Sequence, residues 1–571
     1  MKTVVLALGL VWATSTLAQP VPIAQPPATD AGYAVQDPVS IPTSGKASLS
    51  AIIVRRPGQV ERLPTILFYT TYDEGPGDAI FGKTAVDHGY VGVVAYARGI
   101  RTKAGDYVPY EHEGDDTHAV IDWISRQPWS DGRVAMYGGS YTGFAQWAAT
   151  RRLHPALKTI VPQVAIMPGF DTPAENGVCS SMLCFDWAHS ILGGGPLPND
   201  FYDQWYAKGT PYRTLDAQAG KSNRIFQRWL DHPADDAYWR AMTPTPKEFA
   251  RLDIPVLTTT GYYDGAQIGA LEYLKRHTRY NAHAQHYLVI GPYDHRGAQR
   301  KAATELMGYT IDPVADIDMV ALAYEWFDYV LRGAPKPALL QDRINYEVMG
   351  ANTWRHAPSL AAMADDTLTL YLADRAQGKD HALTPQRPDR AGFVPQVVDF
   401  RDRTTQNNYF TPFIVNPTLD ASNGLVYATE PFAEPFSIDG ALSGELGASI
   451  DKRDMDVSVS LYEGLPDGTY FYLTHYLGRA SYAHDRGKRR LLRPGVRETI
   501  PFDATRLVAR RIGKGSRLVV VLNVNKHPYD IINYGTGKEV GEERIEDAGA
   551  PLHVKWYADS YIRLPIVRGT E

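Results

Sequence analysis

The sequence predicts an α/β sheet domain that is interrupted by a helical insertion and followed by an all-β domain. Three observations predict this. Short apolar runs alternate with helical patterns over 19–167 and again over 251–344. Between them, residues 168–250 are rich in aromatics, Gly and Pro, with short helical pieces. Over 345–571 the pattern becomes regularly spaced strands with turn signals such as Leu465-Pro-Asp-Gly468. Strand–helix alternation marks an α/β sheet, and short strands at regular spacing mark a β sandwich or jelly roll.

The elements follow in order. Residues 1–18 read as a signal peptide: Lys2 is followed by an apolar core, Val4 to Ala13, too short to span a bilayer, and by Thr16-Leu17-Ala18 as a small-residue cleavage site. The expected location is therefore periplasmic or secreted, with no membrane segment in the mature chain. Residues 19–45 form an extended lead-in. Pro64 to Tyr69 and Tyr90 to Tyr96 are buried strands, and 115–127 form a helix with Ala119, Val120, Trp123 and Ile124 on one face. Val134 to Tyr137 is a strand, Phe144 to Thr150 a helix, and Thr159 to Val164 a strand. In the insertion, Ile225 to Leu230 and Asp235 to Met242 read as helices. Strands resume at Ile254 to Thr260 and His286 to Pro292, with a helix over 315–332. Asp366 to Leu372, Met455 to Tyr462 and Arg517 to Asn523 are strands of the all-β part.

Composition narrows the function classes. The formal net charge is -6, from 58 basic and 64 acidic residues that are well mixed along the chain. No basic tail or cluster of the kind that binds nucleic acid is present. The two cysteines, Cys179 and Cys184, are five apart. A disulfide is permitted in an exported chain, but not if both sit on one continuous helix. Two cysteines without nearby His make a poor metal site, so no metal and no cofactor is expected.

The chemistry is organised around Gly138-Gly-Ser140-Tyr-Thr-Gly143. A serine on a sharp turn between a buried strand and a helix is a nucleophile elbow. The turn forces small residues beside the serine, and it aims the next backbone N–H and the helix N-terminus at a developing oxyanion. The usual spacing is Gly-x-Ser-x-Gly, whereas here the second glycine comes one residue late. A serine nucleophile needs a base, and the base needs an orienting acid, in the α/β-hydrolase order Ser, acid, His. The two strands after the insertion run into Gly261-Tyr-Tyr-Asp264 and Gly291-Pro-Tyr-Asp-His295. Asp264 and His295 thus stand where the acid and base belong, with Asp294 as the rival acid. One oxyanion donor is the Tyr141 backbone N–H. The other comes from the loop after the strand ending near Tyr69, where the Tyr72 phenol is a candidate; packing is its other reading. Phe144, Trp147, Tyr263 and Tyr293 flank the motifs and are expected to line an apolar acyl-group pocket, with core packing as the alternative.

These motifs, with Gln127 to Val134 before the elbow, resemble the cocaine esterase family. That family also includes the glutaryl-cephalosporin acylases and α-amino acid ester hydrolases, and X-prolyl dipeptidyl-peptidases are related. Further matches are Arg98-Gly99 with Gly105-Asp106, His154-Pro155, Trp229 to Trp239, and Gly350 to Arg355 through Ser560 to Pro565. The late glycine is a habit of the family. The resemblance implies an α/β-hydrolase domain with a helical cap and a C-terminal jelly roll. It implies Ser140 as nucleophile, Asp264 as acid, His295 as base, and Tyr72 with Tyr141 as the oxyanion hole. Two departures stand out. The family usually has Pro before the oxyanion tyrosine, and here that residue is Thr71. The α-amino acid ester hydrolases carry a Glu-Asp pair after the catalytic Asp to hold the substrate ammonium, and here Gly265-Ala-Gln267 follows. Glu175 or Asp171 would be the replacements. The expected partner is a small-molecule ester or amide, with assembly into a homo-oligomer left open. The alternatives are an X-prolyl peptidase and a catalytically silent protein that binds an extracellular glycan.

Overall fold

The structure is a computed structural model describing residues 32–43, 47–102, 107–390, 392–409 and 411–569. The expected signal peptide and the Gly105-Asp106 motif lie outside the described residues. Ten strands form the first sheet: β1 (Ala34–Pro42), β2 (Ser48–Arg55), β3 (Leu63–Thr70), β4 (Val91–Tyr96), β5 (Ser130–Gly139), β6 (Leu157–Gln163), β7 (Val256–Tyr263), β8 (His286–Asp294), β9 (Ile344–Val348) and β10 (Thr353–Ala357). Their order across the sheet is β1-β2-β4-β3-β5-β6-β7-β8-β9-β10. Strands from β4 to β9 run parallel, and both edges are antiparallel. The central strands read as continuous apolar runs because helices cover both faces of a parallel sheet. Those helices are α1 (Ala79–Asp87), α2 (Glu113–Ser125), α3 (Tyr141–Thr150), α4 (Gln267–Tyr280) and α5 (Met319–Arg332).

The change to all-β character comes later than the sequence predicts. Expected at 345, it falls after Ala357, because β9 and β10 still belong to the first sheet. β9 pairs parallel with β8 and is buried along its length. An isolated apolar strand of this kind carries no mark of the sheet it joins.

Between β6 and β7 the chain forms the inserted cap, with short helices at Trp187–Ile191, Phe201–Lys208, Arg224–Leu230, Ala237–Arg240 and Pro246–Phe249. Their starts are fixed by side-chain caps: Asn223, Asp236 and Thr245 each accept from backbone N–H groups of the first turn. Cys179 and Cys184 form a disulfide that joins a two-residue strand to the start of the helical cap. The C-terminal part is a β assembly in which Asp456–Gly464 pairs with Tyr470–Arg479 on one side and Arg517–Val524 on the other. It locks onto the first domain through Gln267, whose side chain donates to the Leu507 carbonyl (3.0 Å) and accepts from the Leu507 N–H (2.6 Å). Among the described residues, no helix is long and apolar enough to cross a membrane.

Candidate active site

Ser140 sits between β5 and α3 at φ 60°, ψ -120°. This is a backbone conformation that an L-residue holds only where surrounding structure imposes it. The flanking glycines sit in crowded surroundings. Gly138 has φ 125°, and a Cβ there would lie 2.5 Å from Thr142 Cγ2 and 2.7 Å from Phe68 Cε2. A Cβ on Gly139 would meet Gln299 Oε1 at 2.0 Å. The late glycine has its own cause: at Gly143 a Cβ would lie 2.8 Å from the Gln163 carbonyl, where α3 crosses the end of β6. The Ser140 N–H donates to that same carbonyl (3.1 Å), which pins the elbow to the neighbouring strand.

Asp264 and His295 lie just beyond adjacent strands, with Tyr263 paired to Asp294 in the register. His295 Nδ1 is 2.7 Å from Asp264 Oδ1. The carboxylate is fully buried and oriented by Thr260 Oγ1 (2.7 Å) and the Ala266 N–H (2.9 Å). Burial lowers the imidazole pKa, but the charge and hydrogen bond of Asp264, with Asp294 and Asp171 beyond, outweigh it and leave it above its ordinary value. Asp294 is committed elsewhere: its Oδ1 accepts from the Arg296 (3.1 Å) and Gly297 (2.6 Å) N–H groups. Gln299, missed in the sequence, bridges the two loops; it packs on Gly139 and donates to the His295 carbonyl.

The Tyr72 phenol lies near Ser140, which partly offsets the rise that burial gives its pKa. Its backbone N–H donates to Thr70 Oγ1 (3.0 Å), and its oxygen accepts from the Trp187 indole N–H (3.1 Å). Burial pushes the phenol pKa up, so it stays a donor at neutral pH. Tyr141, the residue after the serine, opens α3.

Residues 46–297 match the family described as X-Pro dipeptidyl-peptidase (S15 family), and residues 340–553 match the X-Pro dipeptidyl-peptidase C-terminal non-catalytic domain. The chain thus carries a match to each of the two domains, and it is a serine hydrolase. A cocaine esterase of Rhodococcus sp. (strain MB1 Bresler) is 24% identical, covering 94% of this chain and all of its own length. In fold, this hydrolase matches an α-amino acid ester hydrolase with TM-score 0.75 and 22% identity, over 97% of this chain and 100% of that one. It matches an aminopeptidase from a marine sediment Thaumarchaeota archaeon with TM-score 0.79 and 21% identity, over 96% and 98%.

The aromatics expected to line an acyl pocket in this hydrolase are placed differently. Trp147 is fully buried behind the sheet and stacks on Tyr273, ring centroids 4.6 Å apart. Phe144 is fully buried and packs edge-on to Tyr110 and Tyr141. Tyr293 is buried with its hydroxyl on the Ala315 carbonyl (2.9 Å). Tyr263 is half-buried and donates to the Tyr472 carbonyl of the β assembly (3.0 Å). All four are held by packing, because residues next to a motif in sequence alternate away from the site in space. The aromatic surface beside the serine comes instead from the cap. Trp187 stacks on Tyr110 (5.7 Å), Tyr141 (6.0 Å) and Trp229 (5.8 Å) while its indole reaches Tyr72. The aromatic richness of 168–250 was the only sequence signal for it.

The two carboxylates offered as an ammonium anchor are occupied. Asp171 is buried, accepts from the Met167 (2.7 Å) and Gly269 (3.0 Å) N–H groups, and is pushed up to about 7 by burial. Glu175 is engaged by both terminal nitrogens of Arg506, at 3.0 and 2.7 Å. That guanidinium also leans on the Asp264 and Gly265 carbonyls (3.4 and 3.3 Å). Among the described residues, no group of three or more His, Cys, Asp or Glu is arranged to hold a metal ion.

Proposed function

We propose that the chain is an exported serine hydrolase that cleaves ester or amide bonds through an acyl-enzyme. The observations that carry this are the His295–Asp264 contact of 2.7 Å and a serine held at φ 60° on the turn into α3. Asp264 holds the imidazole with its proton on Nδ1, so Nε2 is free to take the Ser140 proton. Ser140 Oγ attacks the acyl carbonyl, and the oxyanion is met by the Tyr72 O–H and the Tyr141 N–H. His295 then passes the proton to the leaving alcohol or amine. Water, deprotonated by the same ring, releases the acid and frees Ser140. Each step balances without a cofactor.

The substrate class follows from charge. Glu175 is neutralised by Arg506 and Asp171 is held by backbone donors, so neither offers a free carboxylate to an α-ammonium. The Trp187 face favours a neutral apolar or aromatic acyl group. The N-terminal apolar run in the sequence and the Cys179–Cys184 disulfide support export to periplasm or medium. The strand pairing of the C-terminal assembly supports reading it as a jelly roll that buttresses the acid loop through Leu507 and Arg506.

Paired p-nitrophenyl esters test this reading: phenylacetyl against its α-amino analogue, phenylglycyl. The expected kcat/KM for the neutral ester is at least about tenfold higher, one unmatched buried charge being worth that much. Equal or reversed preference would contradict it, and would favour an aminoacyl or X-prolyl substrate.

A further inference from the structure

The helical cap reaches the proposed oxyanion hole through one side chain. Trp187 opens the short cap helix Trp187–Ile191, and its indole N–H donates to the Tyr72 phenol oxygen at 3.1 Å. Three rings fix the plane of that indole. Tyr110 and Tyr141 stack on it from the hydrolase domain at 5.7 and 6.0 Å, tilted by 14° and 22°. Trp229 stacks on it from the cap at 5.8 Å, tilted by 16°. The chain entering Trp187 is held as well. One turn of π-helix, Met182–Asp186, comes directly before it. The Cys179–Cys184 disulfide ties that turn to the two-residue strand Val178–Cys179, and the Tyr202 phenol donates to the Asp186 carboxyl. Single π-helical turns recur at functional sites.

A phenol oxygen carries one proton and also accepts. An N–H aimed at that oxygen occupies a lone pair and keeps the phenol's own proton off that side, so the proton is left for another acceptor. The Tyr72 backbone N–H is already spent on Thr70 Oγ1 (3.0 Å), so the phenol is the one donor this residue has left to offer. We infer that Trp187 is a positioning residue for the transition state: its indole N–H fixes the Tyr72 hydroxyl as an oxyanion donor, so the cap takes part in building the oxyanion hole. The inference rests on reading Tyr72 as an oxyanion donor. It gives the edge of the indole a role separate from that of its face, which meets the acyl group. Hydrogen bonds in series polarise one another, and the indole N–H works against the burial that raises the phenol pKa, which makes the phenol a stronger donor. A donor aimed in advance costs no reorganisation when charge develops on the substrate oxygen. Its loss is felt in kcat, because the interaction is made only in the transition state.

The test compares kcat and KM of the full-length enzyme and its variants on two neutral esters, p-nitrophenyl acetate and p-nitrophenyl phenylacetate. Trp187→Phe keeps an aromatic ring in the stack and removes the N–H; kcat is expected to fall about fivefold to tenfold on both esters, with KM within about twofold. Placing β-(3-benzothienyl)alanine at position 187 keeps both fused rings and puts sulfur where the N–H was, and the same loss is expected. A ring that served only as a pocket wall would be felt in KM, more on the phenylacetate than on the acetate, and this analogue would leave kcat unchanged. Adding Trp187→Phe to Tyr72→Phe is expected to cost nothing further, because the N–H acts through the phenol. Tyr72→Phe alone serves as the control for the underlying reading. If Tyr72→Phe lowers kcat tenfold or more but the analogue leaves it unchanged, or if Trp187→Phe costs its full factor again in the Tyr72→Phe background, the inference is overturned while the oxyanion hole stands. If Tyr72→Phe itself leaves kcat unchanged, the oxyanion reading falls and takes the inference with it. Should Trp187→Phe fold poorly, the analogue, which preserves the packing, carries the same expectations.

Discussion

Two buried carboxyl groups, Asp264 and Glu113, are built in opposite ways. Asp264 lies on the base side, fully buried, and its main partner is a side chain that titrates, His295. Glu113 lies on the oxyanion side, 2% exposed, and its partners are a phenol and a backbone N–H. Burial pushes Glu113 up to about 7, only partly offset by the hydrogen bonds from Tyr141 and the backbone. Asp264 works by changing how it interacts with its partner during the reaction. Glu113 instead holds two hydrogen bonds, from the Tyr141 phenol and the His112 N–H. A site that must move a proton needs the first kind of carboxyl, and a site that must present fixed donors needs the second.

The comparison can be broken on the base side first, where the largest effects belong. Ser140→Ala should lower kcat by about 10⁴-fold or more in an ester assay, leaving only what the oxyanion hole and binding supply. Asp264→Asn should follow, at about 10³-fold or more, because the amide no longer holds the imidazole in the tautomer with Nε2 free. If Asp264→Asn cost less than tenfold, the acid would have to be sought elsewhere. On the oxyanion side, Tyr72→Phe should cost about 10²-fold in kcat with little change in KM. A change in KM alone would reduce Tyr72 to a binding residue.

The smallest effect sharpens the contrast through pH. His295 must be neutral to accept a proton, and its pKa lies above the ordinary 6.5 because Asp264 outweighs burial. The acid limb of kcat/KM should therefore titrate above 6.5, with activity lost as pH falls through it. Replacing Asp264 by Asn should move the residual limb downward, since burial is then opposed only by the weaker pull of Asp294 and Asp171. An acid limb at or below 6.5 in the wild type would contradict the coupling.

The base side was legible in the sequence for a local reason. The motifs at Ser140, Asp264 and His295 each follow a buried strand directly, so the fold's rhythm and the chemistry appear in the same few residues. The rhythm also gave the central strands and the inserted cap. The oxyanion side was only half legible. Tyr72 and the Tyr141 N–H could be proposed from their loops, but the Thr71–Tyr107 and Tyr141–Glu113 hydrogen bonds join separate segments that no spacing rule links. The same limit explains the misplaced acyl pocket: Trp147 and Phe144 neighbour the elbow in sequence but pack into the core, while Trp187 reaches Tyr72 from 115 residues away. The end of the first sheet was missed because β9 carries its partner's identity only in three dimensions.

The central claim is that Ser140 is activated by this arrangement. Intact-mass measurement after exposure to a fluorophosphonate, on the wild type and on Ser140→Ala, tests it most directly. The account predicts one stoichiometric adduct on the wild type and none on the variant. A well-folded wild type that takes no adduct, or a Ser140→Ala variant that is still labelled, would contradict it.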